Sequence, residues 1–294
     1  MDDSTNQPPT DTSGIWPALR REAEQARHSE PLLENFLKQA ILEHPGFASS
    51  LAAVLASRLN SGFLNQTELK TLIFEAFDND RQIIQSAKQD LLAFCQRDPA
   101  CGRYSIPFLY YKGFQGLQLY RVGHYLWYHA HQNLALYLQS LVSEVFDMDI
   151  HPAAKIGNGI LIDHATSIVI GETAVVGDNV SMLHEVTLGG TGKATGNRHP
   201  KVQSGVLIGA GAKILGNVSI GKNAKIGAGS VVLEDVADYL TVAGVPAKTV
   251  GELTHGAPAL EMDHSLEHQT VHQDLNENHP DNPFGNNRKA NNEF

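Results

Sequence analysis

From Asp149 to about Val250 the chain repeats itself every six residues, and few folds tolerate that. Aliphatic residues fall at Ile156 and Ile162, resume at Ile170, Val176, Met182 and Leu188, and return at Ile208, Ile214, Ile220, Ile226 and Val232. A small or aliphatic residue stands two positions before most of them: Ala154, Ala174, Val180, Val186, Val206, Ala212, Val218, Ala224 and Ser230. Glycine directly follows Ile156, Ile170, Val176, Leu188, Ile208, Ile220 and Ile226. In a strand, positions i and i−2 share a face. A chain that turns after each short strand and points both residues inward closes one coil in three such faces. Stacked coils then bury a ladder of Ile and Val and hydrogen-bond to one another. Glycine after the inward residue is expected to supply the backbone angles of a tight corner. The repeat therefore predicts a parallel β-helix over residues 147–251.

The repeat is most informative where it fails. Between Ile162 and Ile170 the spacing is eight, and the two extra residues fall in Asp163-His164-Ala165-Thr166-Ser167. Between Leu188 and Ile208 it is twenty, two more than three hexads. That stretch, about 189–205, has no inward aliphatic ladder and is predicted to leave the coil as a loop. Loops on rigid scaffolds commonly carry function. Polar candidates gather at these breaks: Asp149 and His151 at the start of the coil, Asp163 and His164 at the first break, Arg198 and His199 in the loop. A histidine beside a carboxylate is a plausible general base, because the acid orients the ring and raises its basicity. Asp149 lies a little less than one coil before His164, so the two are expected to be neighbours. The Gly189-Gly190-Thr191-Gly192 run lacks the helix and the Lys-Ser/Thr ending of a P-loop, but its amides suit a phosphate or a pantetheine arm.

Residues 15–146 read differently. Leu32, Leu33, Phe36, Leu37, Ala40 and Ile41 have the spacing of one apolar helix face. Further helices are predicted over 47–59, 67–77, 83–96 and within 113–145. The one at Thr67 is expected to have a capping residue but no capping box, since Lys70 stands at the third position. Tyr110, Tyr111, Phe114, Tyr120, Tyr125, Trp127 and Tyr128 are expected to pack core and interfaces.

Residues 1–14 and 252–294 are polar and poor in apolar residues, and both are expected to be disordered. The tail histidines His264, His268, His272 and His279 are expected to be solvated. With net charge −10 and no basic patch, the chain is a poor partner for nucleic acid. No stretch resembles a secretory signal or a membrane span, which predicts a cytoplasmic protein. The only cysteines, Cys95 and Cys101, flank Asp98-Pro99. They are expected to be reduced structural thiols, with a disulfide or a nucleophile as the alternatives.

Together these strings resemble a known family. Arg97-Asp98-Pro99-Ala100, Asp149 to Gly157, Asp163-His164-Ala165-Thr166, Val186 to Lys193, Arg198 to Lys201, Ile208 to Asn217 and Ala243 to Lys248 resemble bacterial serine O-acetyltransferases of the hexapeptide-repeat acyltransferase superfamily. The likeness spans roughly residues 32–251. It implies an α+β chain, an N-terminal helical domain followed by a left-handed parallel β-helix. It implies transfer of acetyl from acetyl-CoA to L-serine, the first step from serine to cysteine, with acetyl-CoA as co-substrate and neither cofactor nor metal. His164 would be the general base and Asp149 its orienting acid. Asp98 and Asp163 would hold the serine ammonium, and Arg198 with His199 the carboxylate. Gly190, Thr191, Ala210 and Lys225 would line the acetyl-CoA groove. Cysteine would be a feedback inhibitor. The assembly would be a homotrimer, paired into a dimer of trimers, with active sites between subunits. A C-terminal tail that docks into cysteine synthase usually ends in isoleucine, whereas this one ends in Asn292-Glu293-Phe294, and Ser167 stands where glycine is usual.

Three rival readings remain at this level. One is a hexapeptide acyltransferase with another small acceptor, although Asp98 and Arg198 suit a zwitterion better than a sugar. Another is a γ-class carbonic anhydrase, with zinc on His164, His184 and His199. The last is a β-helix with no chemistry.

Overall fold

The structure, a computed structural model, describes residues 11–59, 62–192, 195–253 and 256–266. The N-terminal part is helical: α1 (Ile15–Ser29), α2 (Glu34–Leu37), α3 (Phe47–Arg58), α4 (Gln66–Asn79), α5 (Arg81–Arg97), α6 (Ser105–Tyr110), α7 (Lys112–Tyr128) and α8 (Gln132–Phe146). Two details differ from the sequence reading. The apolar run from Leu32 to Ile41 is not one regular helix. It passes from a 3₁₀ turn (Pro31–Leu33) through α2 into a π turn (Lys38–Leu42), so Leu37, Ala40 and Ile41 are buried while Leu32 is fully exposed. Proline at the start and the wider π turn shift the buried face along the chain. Helix α4 does have a capping box, because its cap stands two residues earlier than Thr67. Asn65 is the cap: its side chain accepts from the Glu68 amide and the Glu68 carboxylate accepts from the Asn65 amide.

Fourteen short parallel strands build the coil. Sheet A is β1 (Met148–Ile150), β4 (Ile168–Ile170), β7 (Thr187–Gly189), β10 (Lys213–Leu215) and β13 (Val231–Val232). Sheet B is β2 (Lys155–Ile156), β5 (Val175–Val176), β8 (Lys201–Val202) and β11 (Ser219–Ile220). Sheet C is β3 (Leu161–Ile162), β6 (Ser181–Met182), β9 (Leu207–Ile208), β12 (Lys225–Ile226) and β14 (Leu240–Gly244). Every third strand pairs, as a three-sided coil requires. One register row reads Ile150–Ile170–Leu188–Ile214–Val232, all buried. The coil ends in an antiparallel hairpin that the repeat does not announce, where β15 (Ala247–Glu252) folds back on β14.

The glycines that follow the inward residues are there for a reason other than the one expected. None of Gly157, Gly171, Gly177, Gly189, Gly209, Gly221 and Gly227 has a positive φ. What they provide is room between coils: a Cβ on Gly209 would lie 2.6 Å from the Ala228 nitrogen, and one on Gly221 would lie 2.4 Å from the Asp238 nitrogen. The left-handed conformations stack elsewhere, at Gly159, Asn179, Gly205 and Asn223 on one corner and at Ser167, Glu185, Gly211 and Gly229 on another. The excursion from the coil is also shorter than expected. It runs from Gly190 to Pro200, because Val202 is buried and pairs in β8 with both β5 and β11.

Helices and coil are joined by a buried ion pair. Asp90 of α5 is fully buried and accepts from Arg121 Nε at 3.1 Å, Arg121 Nη2 at 2.7 Å, Gln118 Nε2 at 3.0 Å and the Ile160 amide at 2.9 Å. Arg121 also donates to the carbonyls of Ile156 and Gly157. The Tyr120 hydroxyl donates to Ala154 O at 2.6 Å, and His124 donates to Pro152 O at 2.8 Å. Gly113 lets α7 come against the first coil, since a Cβ there would lie 2.0 Å from the Ile162 carbonyl oxygen. Among the described residues no helix is long and apolar enough to cross a membrane.

Two predictions test this architecture. Asp90→Ala strands a buried guanidinium and should cost about 3–5 kcal/mol in denaturant unfolding. Gly209→Ala should overpack the coil and cost about 1–3 kcal/mol by the same measurement.

Candidate active site

The first break in the repeat lies at the corner where sheet C hands the chain to sheet A. Three of its five residues, His164, Ala165 and Ser167, have positive φ, at 57°, 54° and 59°. The two extra residues are accommodated by this left-handed bend, which turns the His164 side chain out of the coil. That side chain is 73% exposed. Its Nε2 lies 3.7 Å from Asp163 Oδ2, an ion-pair distance too long for a hydrogen bond. The His184 ring, one coil above, meets it edge-on at 5.8 Å.

Helix α5 ends against this corner. Asp98 is its C-terminal cap, and its carboxylate is held by the Ala100 amide at 2.8 Å. A cavity of about 360 Å³ is lined by Asp98, Tyr111, Lys112, Gly113, Asp163 and His164, with Phe94, Ala100, Tyr110 and Ile162 completing it. Its charge is mostly negative. Burial pushes the Tyr111 phenol up to about 12, with help from Asp98 and Cys101. The structure thus gathers Asp98, Asp163 and His164 around one small chamber, although the chain separates the first from the others by more than sixty residues. Tyr111 and Lys112 went unremarked as site residues in the sequence. Lys112 is the chamber's cation, 3.8 Å from Asp147, and no local motif marks it.

Arg198 and His199 stand on the next corner, between sheets A and B. The three-residue strand β4, about 10 Å long, separates the two corners. Arg198 Nη2 pairs with Glu172 Oε2 at 2.7 Å and holds that carboxyl below its usual range. Thr173 Oγ1 accepts from the amides of both Arg198 and His199. His199 Nδ1 accepts from the Thr173 amide at 3.1 Å, which leaves the ring proton on Nε2. The ring lies on Gly171, where a Cβ would come within 2.1 Å of it. Burial, then Arg198, pushes the His199 pKa down, and burial does the same for His151 nearby.

The expected acetyl-CoA residues divide in the same way. Ala210 lies two coils above His164 on the same corner, about 10 Å along the axis at the usual strand spacing. Gly190 lies beside Arg198, where a Cβ on it would meet His199 Nε2 at 3.5 Å, and Thr191 next to it lies over Gly216. Lys225 departs from expectation. It is 5% exposed, and its ammonium donates to Ser265 O at 2.5 Å and lies 3.8 Å from Asp263. The segment 256–266, expected to be disordered, instead lies on sheet C with a short helix, α9 (Pro258–Glu261). Ser181 donates to Ala259 O at 2.7 Å, and His264 comes close enough to Asp163 to feel its charge. The apolar Pro258 and Ala259, both buried, anchor it. Residues 267–294, with His268, His272, His279 and Phe294, and residues 1–10 lie outside the described residues.

Asp149 is not bonded to His164. It points out from the middle of β1, the edge strand of sheet A, and accepts from Gln139 Nε2 at 2.6 Å. One coil brings the two near in sequence, but β1 carries Asp149 onto the flat face and the left-handed bend carries His164 around the corner.

Two family models match the chain: the serine acetyltransferase N-terminal model over residues 15–119, and the bacterial transferase hexapeptide model over residues 199–234. A serine acetyltransferase of Salmonella typhimurium is 50% identical over 249 residues, covering 85% of this chain and 91% of its own. A serine acetyltransferase solved in complex with cysteine superposes with a TM-score of 0.85 at 49% identity, covering 87% and 99% of the two chains. That of Neisseria gonorrhoeae in complex with serine gives 0.78 at 50%, covering 80% and 96%. That of Brucella abortus in complex with coenzyme A gives 0.81 at 46%, covering 82% and 97%. With helices and coil both present and half of the aligned residues identical, this chain belongs to the serine acetyltransferase family, the acyltransferases that make O-acetylserine on the way to cysteine.

Proposed function

We propose that the active site is completed between two copies of the chain, the His164 corner of one facing the Arg198 corner of its neighbour. The observation that carries this reading is the shared partition. Residues for serine and residues for acetyl-CoA split across the same two corners of one coil: Asp98, Asp163, His164 and Ala210 on one, Gly190, Thr191, Arg198 and His199 on the other. A three-sided coil suits a homotrimer, in which each corner meets the next subunit's, and the helical domains would pair two trimers. The cavity at Asp98, Asp163 and His164 has the size for serine and the anions for its ammonium. Arg198, already held by Glu172, would offer the carboxylate a rigid fork.

In this reading His164 takes the serine hydroxyl proton as the oxygen attacks the thioester carbonyl of acetyl-CoA. The tetrahedral adduct collapses, the carbon–sulfur bond breaks, and the imidazolium returns the proton to the leaving thiolate. Holding both substrates in one cleft supplies the proximity, and no acyl-enzyme is required. Asp149 acts on the cleft through the outer face of sheet A. Cysteine, a serine analogue with sulfur for oxygen, competes at the same charges. Segment 256–266 covers Lys225, so acetyl-CoA reaches that lysine only if the segment lifts. We place the reaction in the cytoplasm, and a role for the tail ending in Phe294 in docking to cysteine synthase remains part of the proposal.

Free thiol should appear from acetyl-CoA only when L-serine is present; release without serine, or none with it, sinks the reading. His164→Ala should lower kcat roughly 100- to 10,000-fold while the oligomer persists in sedimentation. Arg198→Ala should raise the serine KM more than Lys112→Met does; the reverse order would give the carboxylate to Lys112 within one chain. Because folding lowers the pKa of His199 and His151, the unfolded chain binds more protons below about pH 6.5. Stability is therefore full above that pH and falls as pH drops through the folded values. The denaturant midpoint should decline between pH 7 and 5, and less so in His199→Gln.

A further inference from the structure

Cys95 and Cys101 lie face to face at the one turn that supplies the chamber with Asp98. Cys95 is on the last turn of α5 and Cys101 follows the Asp98-Pro99-Ala100 turn, whose closing bond runs from the Cys101 amide to Asp98 O at 2.9 Å. Their sulfurs are 3.0 Å apart, and both are free thiols. A disulfide needs about 2.05 Å, so closure asks the two sulfurs to approach by about 1 Å. Cys101 is 4% exposed and Cys95 partly exposed, so a small oxidant has one side of the pair within reach. The hydrogen bond with Cys101 and burial push the Cys95 thiol up, which slows its attack on an oxidant, while the short separation favours the second step, closure onto a partner already in place.

We propose that Cys95 and Cys101 form a reversible disulfide that controls serine binding through the Asp98 turn. The inference rests on the placing of the serine ammonium at Asp98 made above. Hydrogen peroxide is the oxidant. One sulfur attacks the O–O bond and becomes a sulfenic acid, releasing water. The second thiol then displaces hydroxide from that sulfur, forming the S–S bond and a second water. Two thiols lose two electrons and two protons, and hydrogen peroxide takes both. A dithiol reductant reverses the step by exchange. Asp98 has no freedom to stay behind, because its carboxylate is bonded to the Ala100 amide within the same turn. Drawing Cys101 toward α5 therefore shifts the carboxylate against Asp163 and His164, which belong to the coil and do not move with the turn.

The test uses the full chain with hydrogen peroxide as the oxidant. Trypsin cuts after Arg97, between the two cysteines, so a disulfide would join the peptides Gln89–Arg97 and Asp98–Arg103. Expected results are this linked pair, a serine KM raised at least threefold with the acetyl-CoA KM unchanged, and recovery with dithiothreitol. Cys101→Ser and Cys95→Ala should each keep the reduced enzyme's kinetics and ignore peroxide. Two separate sulfinic acids in place of the link would overturn the proposal, as would a link that leaves the serine KM unchanged. The reduced protein's own serine-dependent thiol release is read in the same experiment. If that is missing the functional reading fails, whereas the peptide link is scored independently of it.

Discussion

A β-helix begins with an open edge, a first coil whose outward N–H and C=O groups have no coil beneath them. Here the Asp90–Arg121 pair closes that edge. Asp90 takes the Ile160 amide, Arg121 takes the Ile156 and Gly157 carbonyls, and Tyr120 and His124 take those of Ala154 and Pro152. Burying two charges costs several kcal/mol each, and replacing such a pair with apolar residues is often neutral. An apolar joint would hold the two parts together as well, but it could not satisfy the edge. The same joint sets where α5 ends, and α5 ends in Asp98. The position of the Asp98 carboxylate in the chamber thus depends on how the helices cap the first coil.

The chamber shows how a repeat makes a site. The inward ladder is indifferent to what lies outside it, so functional groups collect where the chain must turn. At the His164 corner three left-handed residues put an imidazole on the outside of a coil whose neighbouring strands are buried. At the Arg198 corner Thr173 and Gly171 hold a histidine whose ring would collide with any other residue at 171. The two corners differ in charge. One presents the carboxylates of Asp98 and Asp163 around a cavity and the other the Arg198 guanidinium, and under the proposed pairing of subunits the two would supply both ends of a zwitterion's receptor.

Much of this was legible in the sequence, for a physical reason: a period of six is a statement about side-chain direction, and direction decides burial. Every small residue set two positions before the ladder, from Ala154 to Ser230, is buried. The grouping of Asp98 with Asp163 and His164 was legible only through the family strings, because no periodicity links a helix end to a coil corner. The glycines were assigned a conformational role when their role is steric, since sequence shows where glycine is needed but not which of its two properties is used. Segment 256–266 was misjudged, and with it the exposure of Lys225. Polar composition argues for disorder, yet Pro258 and Ala259 are apolar enough to dock. The antiparallel β15 was invisible because it belongs to no repeat.

The excursion from Gly190 to Pro200 leaves no trace in the ladder: Leu188 still faces Ile214 and Val202 still faces Ile220. Coil registry is set by the strands and corrected at every turn, so added chain is shed sideways. Length at a corner is thus a free variable, while length within a face is not. Acceptor preference can drift by insertion, deletion or exchange at corners without re-optimising the core, and the scaffold becomes an evolutionary chassis on which chemistry is replaceable.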